Sequence, residues 1–389
     1  MADRIPISEI RNPKLNRLVP LLLSWFSKNA RDLPWRSRKA GRDPYAIWVS
    51  EIMLQQTQVK TVVPYWKRWL RELPTIKSVA DASRDKIHKL WEGLGYYTRA
   101  RNLQKAARQI LETHGGQFPE NFDDVLALPG IGPYTAGAIC SIAFNQPTPI
   151  LDGNVIRVLT RVFGIAENPR EKKTNTQLWQ IAEKLICRAK RAKKTKKKNT
   201  SRPARPSRET NSCSNLNQSL MELGALVCTP RNPQCRICPV KKLCVAFRQN
   251  RMEELPNLGK RQNATALRFA AFVVDQNGRF LVRQRPGGVL NAHLWEFPNV
   301  EIFNGNSNPG MAAKDVLGIL PSAIEPLCTV KHSITRYRIT LEAFRASLGG
   351  TGTCEIGMWK TPGQIRQLAF TAAHKKLASA AFNCILSVR

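Results

Sequence analysis

Acidic residues are scarce in this chain. Against 61 lysines and arginines its 389 residues hold only 28 aspartates and glutamates, a formal net charge of +33. Between Arg188 and Arg208 there are eleven basic residues and no acidic one, yet the rest of the chain still carries +22. An excess spread that widely favours a polyanionic partner, and nucleic acid is the default. No run of 18 apolar residues occurs, which excludes a membrane-spanning helix of ordinary length. The opening Met-Ala-Asp-Arg-Ile-Pro has no apolar core, so no secretory leader is expected. A disulfide scaffold is not expected either. Four of the ten cysteines are clustered, whereas Cys140, Cys187, Cys213, Cys328, Cys354 and Cys384 are scattered, a pattern that suits a reducing cytosol and one metal site. The length predicts two or three domains with a core of their own.

What is present centres on Leu128-Pro129-Gly130-Ile131-Gly132-Pro133-Tyr134. Gly130 and Gly132 permit a tight hairpin with positive φ and a close backbone approach to an outside group. Pro133 suits a first helical position, and Ala136, Gly137 and Ala138 would let another helix pack closely. A glycine hairpin feeding a helix start offers free N–H groups to a phosphate. Taken alone, the hairpin could be a plain turn. About twenty residues on, Asp152-Gly153-Asn154 opens the next apolar run, with Asp152 at least an N-cap.

Asp43-Pro44 reads as a helix start, leading into Tyr45-Ala46-Ile47-Trp48-Val49-Ser50-Glu51-Ile52-Met53-Leu54. Glu51 is the only charge in that stretch. Among apolar neighbours its carboxyl would be poorly solvated, its pKa raised and its proton retained, which suits a general acid. The alternative is a glutamate on a solvated stripe. Helices are expected through Tyr65–Leu70, Ser83–Trp91 and Arg99–Thr113, with Pro64, Pro74 and Gly93-Leu94-Gly95 as breaks. Gly95-Tyr96-Tyr97-Thr98-Arg99-Ala100-Arg101 mixes aromatics with arginines, which fits base stacking with phosphate contacts, or two core tyrosines beside surface arginines. Helices also follow over Val155–Phe163 and Asn175–Ile186. Residues 188–214 are low in complexity and are expected to form a disordered basic insertion, either adding DNA affinity or lying solvated.

Cys228, Cys235, Cys238 and Cys244 stand in the spacing C-x6-C-x2-C-x5-C. Four thiols within 17 residues, with prolines between, form a metal site. Zinc is the reading from composition, but zinc ribbons usually pair two C-x2-C knuckles and this chain has one. Beyond Leu255-Pro256 the pattern turns to strands: residues 269–275 and 279–285 flank Gln276-Asn277-Gly278, a hairpin signal.

The run Ser50-Glu51-Ile52-Met53-Leu54-Gln55-Gln56-Thr57-Gln58-Val59 resembles the signature of the MutY family of adenine DNA glycosylases, and the hairpin with Asp152 resembles the helix-hairpin-helix glycosylases. The resemblance implies that Glu51 protonates the adenine, that Asp152 stabilises the oxocarbenium-like sugar or attacks it, and that Tyr134 and Asn154 orient sugar and carboxylates. It matches Gln56 and Tyr96 to residues that enter the base stack, while Arg99, Gly130 and Gly132 are expected at the DNA backbone on the reading of the residues themselves. The 6-2-5 cysteine spacing resembles the 4Fe–4S loop of endonuclease III and MutY proteins, whose cluster takes thiolate ligands. The strands and Leu294-Trp295-Glu296-Phe297-Pro298 resemble the Nudix, MutT-like fold. Nothing after Pro298 matches the acidic helix of Nudix hydrolases, so the resemblance implies the MutY domain that reads 8-oxoguanine, without a catalytic metal. Where many members carry Phe-Ser-His, this chain has Ile334-Thr335-Arg336, leaving Ser333 or Thr335 to bond the lesion.

The expected architecture is a mainly α N-terminal part plus an α+β Nudix-like C-terminal domain. Residues 31–150 would form a six-helix module with the hairpin. Residues 1–30 and 151–250 would form a second helical module with the iron–sulfur loop, followed by a linker over 251–266 and the Nudix-like domain over 267–389. The expected activity is hydrolysis of the N-glycosidic bond of adenine opposite 8-oxoguanine or guanine in double-stranded DNA, by a monomeric, cytoplasmic, nucleoid-associated protein of bacterial type with no membrane partner. The alternative enzyme is an endonuclease III-like lyase, which would carry a lysine where this chain has Tyr134. The non-enzymatic alternative is a DNA-binding repair scaffold.

Overall fold

The computed structural model describes residues 12–36, 42–195, 212–259, 263–303, 308–334, 336–349 and 356–386. The chain folds as two compact units, one of residues 1–80 and 105–260, the other of residues 81–104 and 261–389.

Helices in chain order are α1 (Asn12–Asn29), α2 (Pro44–Leu54), α3 (Val59–Glu72), α4 (Ile76–Asp81), α5 (Arg84–Trp91), α6 (Thr98–His114), α7 (Phe122–Leu126), α8 (Pro133–Phe144), α9 (Gly153–Phe163), α10 (Lys172–Thr195), α11 (Ser212–Leu226) and α12 (Val245–Arg248). In the first unit α1, α9, α10 and α11 close over one core, with Leu15, Leu18, Leu159, Leu178, Ile181, Leu216 and Leu223 fully or almost fully buried, and with Ile47 of α2 and Ala138 of α8 packed in.

Two sequence expectations change here. Pro64 does not break a helix. It lies inside α3, where burial of Val62, Trp66 and Trp69 offsets the one backbone bond that proline removes. The basic segment is also more ordered at its flanks than expected. Helix α10 runs on past Arg188 to Thr195, because lysine, arginine and alanine are good helix formers and Ala189 keeps the apolar phase by packing into the core. At the other flank Ser212–Ser214 open α11, where Asn145 Oδ1 accepts from the N–H groups of Cys213 and Ser214, both at 3.1 Å, and so caps the helix from a distance. Residues 196–211 lie outside the described residues.

Among its described residues the second unit has seven strands: β1 (Thr265–Gln276), β2 (Arg279–Gln284), β3 (Trp295–Glu296), β4 (Asn299–Glu301), β5 (Ala323–Ile334), β6 (Tyr337–Ser347) and β7 (Met358–Lys360). The main order is β3-β2-β1-β6-β5, with β4 on β1 and β7 on β2. Strand β1 runs parallel to β6 and antiparallel to β2. The β1–β2 hairpin turns at Asn277 and Gly278, both with positive φ, as a two-residue hairpin demands. Alternation decides the two faces. Ala271 and Val273 face a core that includes Leu377 and Ala381 of α15 (Ala372–Leu386), while Phe272 and Val274 face α13 (Pro309–Leu317) through Ala313 and Leu317. A short α14 (Pro362–Gln367) completes the unit. Helix α13 reads Pro-Gly-Met-Ala-Ala-Lys-Asp-Val-Leu, with one acid.

Candidate active site

The site lies in the first unit, where α2, α8, α9 and α11 meet. Asp43 caps α2, its Oδ1 accepting from Tyr45 N at 2.9 Å, with Pro44 in the first turn. Every residue from Tyr45 to Met53 is buried, Glu51 included at 5 % exposure. The helix therefore has no solvated stripe for Glu51 to occupy. Its carboxyl is pushed up to about 7, mainly by burial. The hydrogen bond from Tyr134 opposes the shift, the Asp152 charge adds to it, and Arg36 opposes it. A neutral carboxylic acid is therefore available near neutral pH.

The Tyr134 hydroxyl donates to Glu51 Oε2 at 3.1 Å and lies 3.4 Å from Met221 Sδ. Tyr134 stands one residue into α8, whose N-terminus follows the hairpin. Gly130 has φ 80 and Ile131 N bonds Leu128 O, so the turn is closed while Gly132 stays exposed. At Gly137 a Cβ would meet Pro149 O at 2.2 Å, so the segment leading to Asp152 rests directly on α8.

Asp152 is the N-cap of α9. Its Oδ1 accepts from Val155 N at 2.7 Å and its Oδ2 from Asn154 Nδ2 at 2.9 Å. A cap alone would lower its pKa. Burial outweighs the bonds from Val155 N and Asn154, and the carboxyl lies above its usual value. It still has two donors to its ionised form where Glu51 has the Tyr134 hydroxyl. Asn154 is pressed against α11, where a Cβ on Gly224 would come within 2.6 Å of Asn154 Cβ. The structure thus gathers Glu51, Tyr134, Asp152 and Asn154 in one place.

Several residues of the site were not anticipated from the sequence. Glu222 of α11, 1 % exposed, accepts from Arg31 N, Nε and Nη2 at 2.7–2.9 Å and from Arg36 Nη2 at 3.1 Å. Burial raises its carboxyl, but the two arginines outweigh this and hold it down at about 2. It follows Met221, the neighbour of Tyr134. Arg157 of α9 donates to Asn154 Oδ1 at 2.8 Å, to Gly224 O at 2.8 Å and to Cys228 O at 2.7 Å, so it ties the Asp152 turn to the first cysteine of the loop. Arg161, one turn on and 2 % exposed, bonds Thr229 O, Pro230 O and Leu255 O and reaches Cys228 Sγ at 3.5 Å.

The four cysteines line one cavity with Val158, Arg161 and Leu223. Among the described residues no group of three or more His, Cys, Asp or Glu side chains gathers about a single ion position. The hydrogen-bond partners of Arg161 are three carbonyls and a thiol, so its buried charge faces the cysteines. An anionic thiolate-bound group suits that setting.

The expected DNA-contact residues fall in both units. In the first, Gln56 is exposed with φ 57, a conformation that costs a non-glycine residue energy. In the second, Tyr96 is 43 % exposed with φ 47, and Arg99 stacks over the rings of Trp91 and Tyr96 at 5.4 and 5.6 Å. Ser333 is exposed next to the tip of the β5–β6 hairpin, and Thr335 lies outside the described residues.

Comparison with known proteins agrees with this geometry. Residues 49–184 match the HhH-GPD superfamily of base excision DNA repair proteins, and residues 269–380 match the NUDIX domain. The chain is therefore a helix-hairpin-helix DNA glycosylase, a DNA-binding hydrolase of base excision repair. It is 36 % identical to an adenine DNA glycosylase of Rattus norvegicus over 92 % of this chain and 76 % of that one. To the adenine DNA glycosylase of Homo sapiens it is 35 % identical over 92 % and 72 %. It belongs to the adenine DNA glycosylase family. A solved thermostable thymine-DNA glycosylase aligns with 61 % of this chain and 98 % of its own at 28 % identity, with a TM-score of 0.50.

Proposed function

We propose that the protein hydrolyses the N-glycosidic bond of adenine mispaired with 8-oxoguanine or guanine in duplex DNA, as a monofunctional glycosylase. The observation that carries this is the pairing of Glu51, proton-bearing near pH 7, with Asp152, anchored at a helix start. Two carboxyls with different environments supply an acid and a charge stabiliser to one bond. The adenine leaves the stack to reach the site. Glu51 gives its proton to the departing base, and Tyr134, whose own pKa burial raises well above 10, holds the acid in place as a donor. Asp152, fixed by Val155 N and Asn154, faces the cationic sugar or attacks it. Glu222 with Arg31 and Arg36 forms a polar wall beside Met221, fit to read base edges. Water completes the hydrolysis, since Tyr134 stands where a lyase would need an amine.

Strained Gln56 and Tyr96 fit entry into the base stack, Arg99, Gly130 and Gly132 fit contact with the backbone, and Ser333 fits the lesion opposite. Cys228, Cys235, Cys238 and Cys244 would hold a 4Fe–4S cluster, an electron-delocalising group bound by thiolates. The 6-2-5 spacing and the cavity the four cysteines share support the cluster, while the positive charge of Arg161 suits any anionic thiolate-bound group there. Purified protein should then contain iron and labile sulfide at about four each per chain; zinc without iron would overturn this. The compartment is a reducing cytoplasm.

The deciding experiment is a single-turnover assay on duplexes with adenine opposite 8-oxoguanine, guanine, cytosine or thymine, run with and without borohydride. Adenine release opposite 8-oxoguanine and guanine, without a covalent adduct, is expected. An efficient borohydride-trapped adduct would point to a lyase, and DNA binding without base release to a scaffold.

A further inference from the structure

Glu92 is the C-cap of α5, where the negative end of the helix dipole disfavours a carboxylate. It is nevertheless buried, with its side chain 7 % exposed. Its Oε2 accepts from Lys375 Nζ at 2.7 Å and from Lys89 Nζ at 3.0 Å, and its Oε1 from Phe370 N at 3.1 Å. Lys89 also donates to Leu368 O at 2.9 Å. Burial pushes the carboxyl up, but the bonds from Lys375, Lys89 and Phe370 outweigh it, and the net pKa is lowered. An acid in this position needs those partners, and two of them come from residues 370 and 375, far along the chain.

Each side of the contact is stiff. On one side the turn after Glu92 has left-handed Gly93, Gly95 and Tyr96. Gly95 O accepts from Trp91 Nε1 and Arg99 Nη2, and Arg99 Nη2 also bonds Leu94 O. Tyr96 therefore moves with Glu92. On the other side Trp295 N bonds Ala369 O, and Thr371 N bonds Trp295 O. Helix α15 starts directly after and packs on β5, the strand that carries Ser333.

We propose that Glu92 is a positioning residue that ties the Tyr96 turn to α15, so that reading of the base opposite adenine is transmitted to the residue that enters the stack. This rests on the proposed function. Lys375, itself 58 % exposed, is the half of the pair that can be changed with least risk to folding.

The test measures single-turnover adenine release opposite 8-oxoguanine and opposite guanine. In Glu92→Gln and in Lys375→Met the ratio of the two rates should fall roughly 3- to 30-fold, with the double variant no worse than either single, as coupled residues behave. Lys375→Arg should keep the ratio. Hydrogen exchange at residues 93–96 should quicken in Lys375→Met, although residue 375 is remote in sequence. A wild-type preference for 8-oxoguanine that both single variants retain, or effects that add in the double variant, would overturn the coupling and leave the proposed function standing. A wild type with no preference would overturn the coupling alone, whereas a wild type that releases adenine opposite neither base would sink the proposed function with it.

Discussion

Two buried glutamates, one in each unit, have opposite settings. Glu51 in the helical unit sits among Ile47, Trp48 and Met53 with a tyrosine hydroxyl as its bonded partner. Glu296 in the sheet unit is 2 % exposed, yet it accepts from Arg283 Nε at 3.0 Å and from Arg285 Nη1. Glu296 has the partners that burial of a charge calls for, whereas Glu51 is left to keep its proton. The contrast separates a carboxyl held in an ion network from one set to keep its proton, the setting that the proposed acid role needs, without reference to any relative.

Substituting the same amide at each glutamate is the sharpest way to break that contrast. Glu51→Gln should slow adenine release by roughly 10²–10⁴-fold, since it removes a positioned acid, and single-turnover kinetics would reveal it. The same change should stabilise the fold. A carboxyl raised from 4.5 to about 7 contributes stability below its unfolded pKa and loses it as pH rises through the folded one. Glu51→Gln should therefore gain up to about 3 kcal/mol at pH 8 and almost nothing at pH 4, readable by denaturant titration at the two values. Wild-type excision should likewise decline as pH climbs past about 7. An equal gain at both pH values would mean that Glu51 does not hold its proton.

Glu296→Gln should act in the other direction. It strips the counter-charge from Arg283 and Arg285 and should cost about 3 kcal/mol, seen as a lower melting temperature of the second unit. A neutral or stabilising result would erase the comparison. Gly224→Ala sharpens it on a smaller scale. The added methyl meets Asn154 Cβ at 2.6 Å, so a loss of about 1–3 kcal/mol is expected, together with slower excision because Asn154 holds Asp152. Unchanged rates would mean that the Asp152 turn yields without consequence.

Much of the candidate site was legible because it is written locally. Glu51 is one charge in an apolar helix, Asp152 is a cap following a hairpin, and the four cysteines fall within one short loop. Arg31, Arg36 and Glu222 were not legible, because their bonds join residues 186 and 191 positions apart. A signal existed even so. Glu222 is the one acid in the largely buried α11, the same anomaly that marks Glu51 in α2. Arg157 and Arg161 were not singled out, since nothing in their spacing announces the carbonyls and thiol they meet. In the sheet unit the β1–β2 hairpin was visible from Asn277-Gly278, while the parallel pairing of β1 with β6 depends on strands some seventy residues apart.

The burial of Glu51, which forms no ion pair among the described residues, also bears on how this protein can be improved by selection. A library sorted for yield, heat resistance or solubility at slightly alkaline pH would reward any neutral residue at position 51, because ionising a carboxyl there opposes folding. On the proposed mechanism the winners would be well-behaved, inactive proteins, and recovering active ones would require counting adenine release in every round.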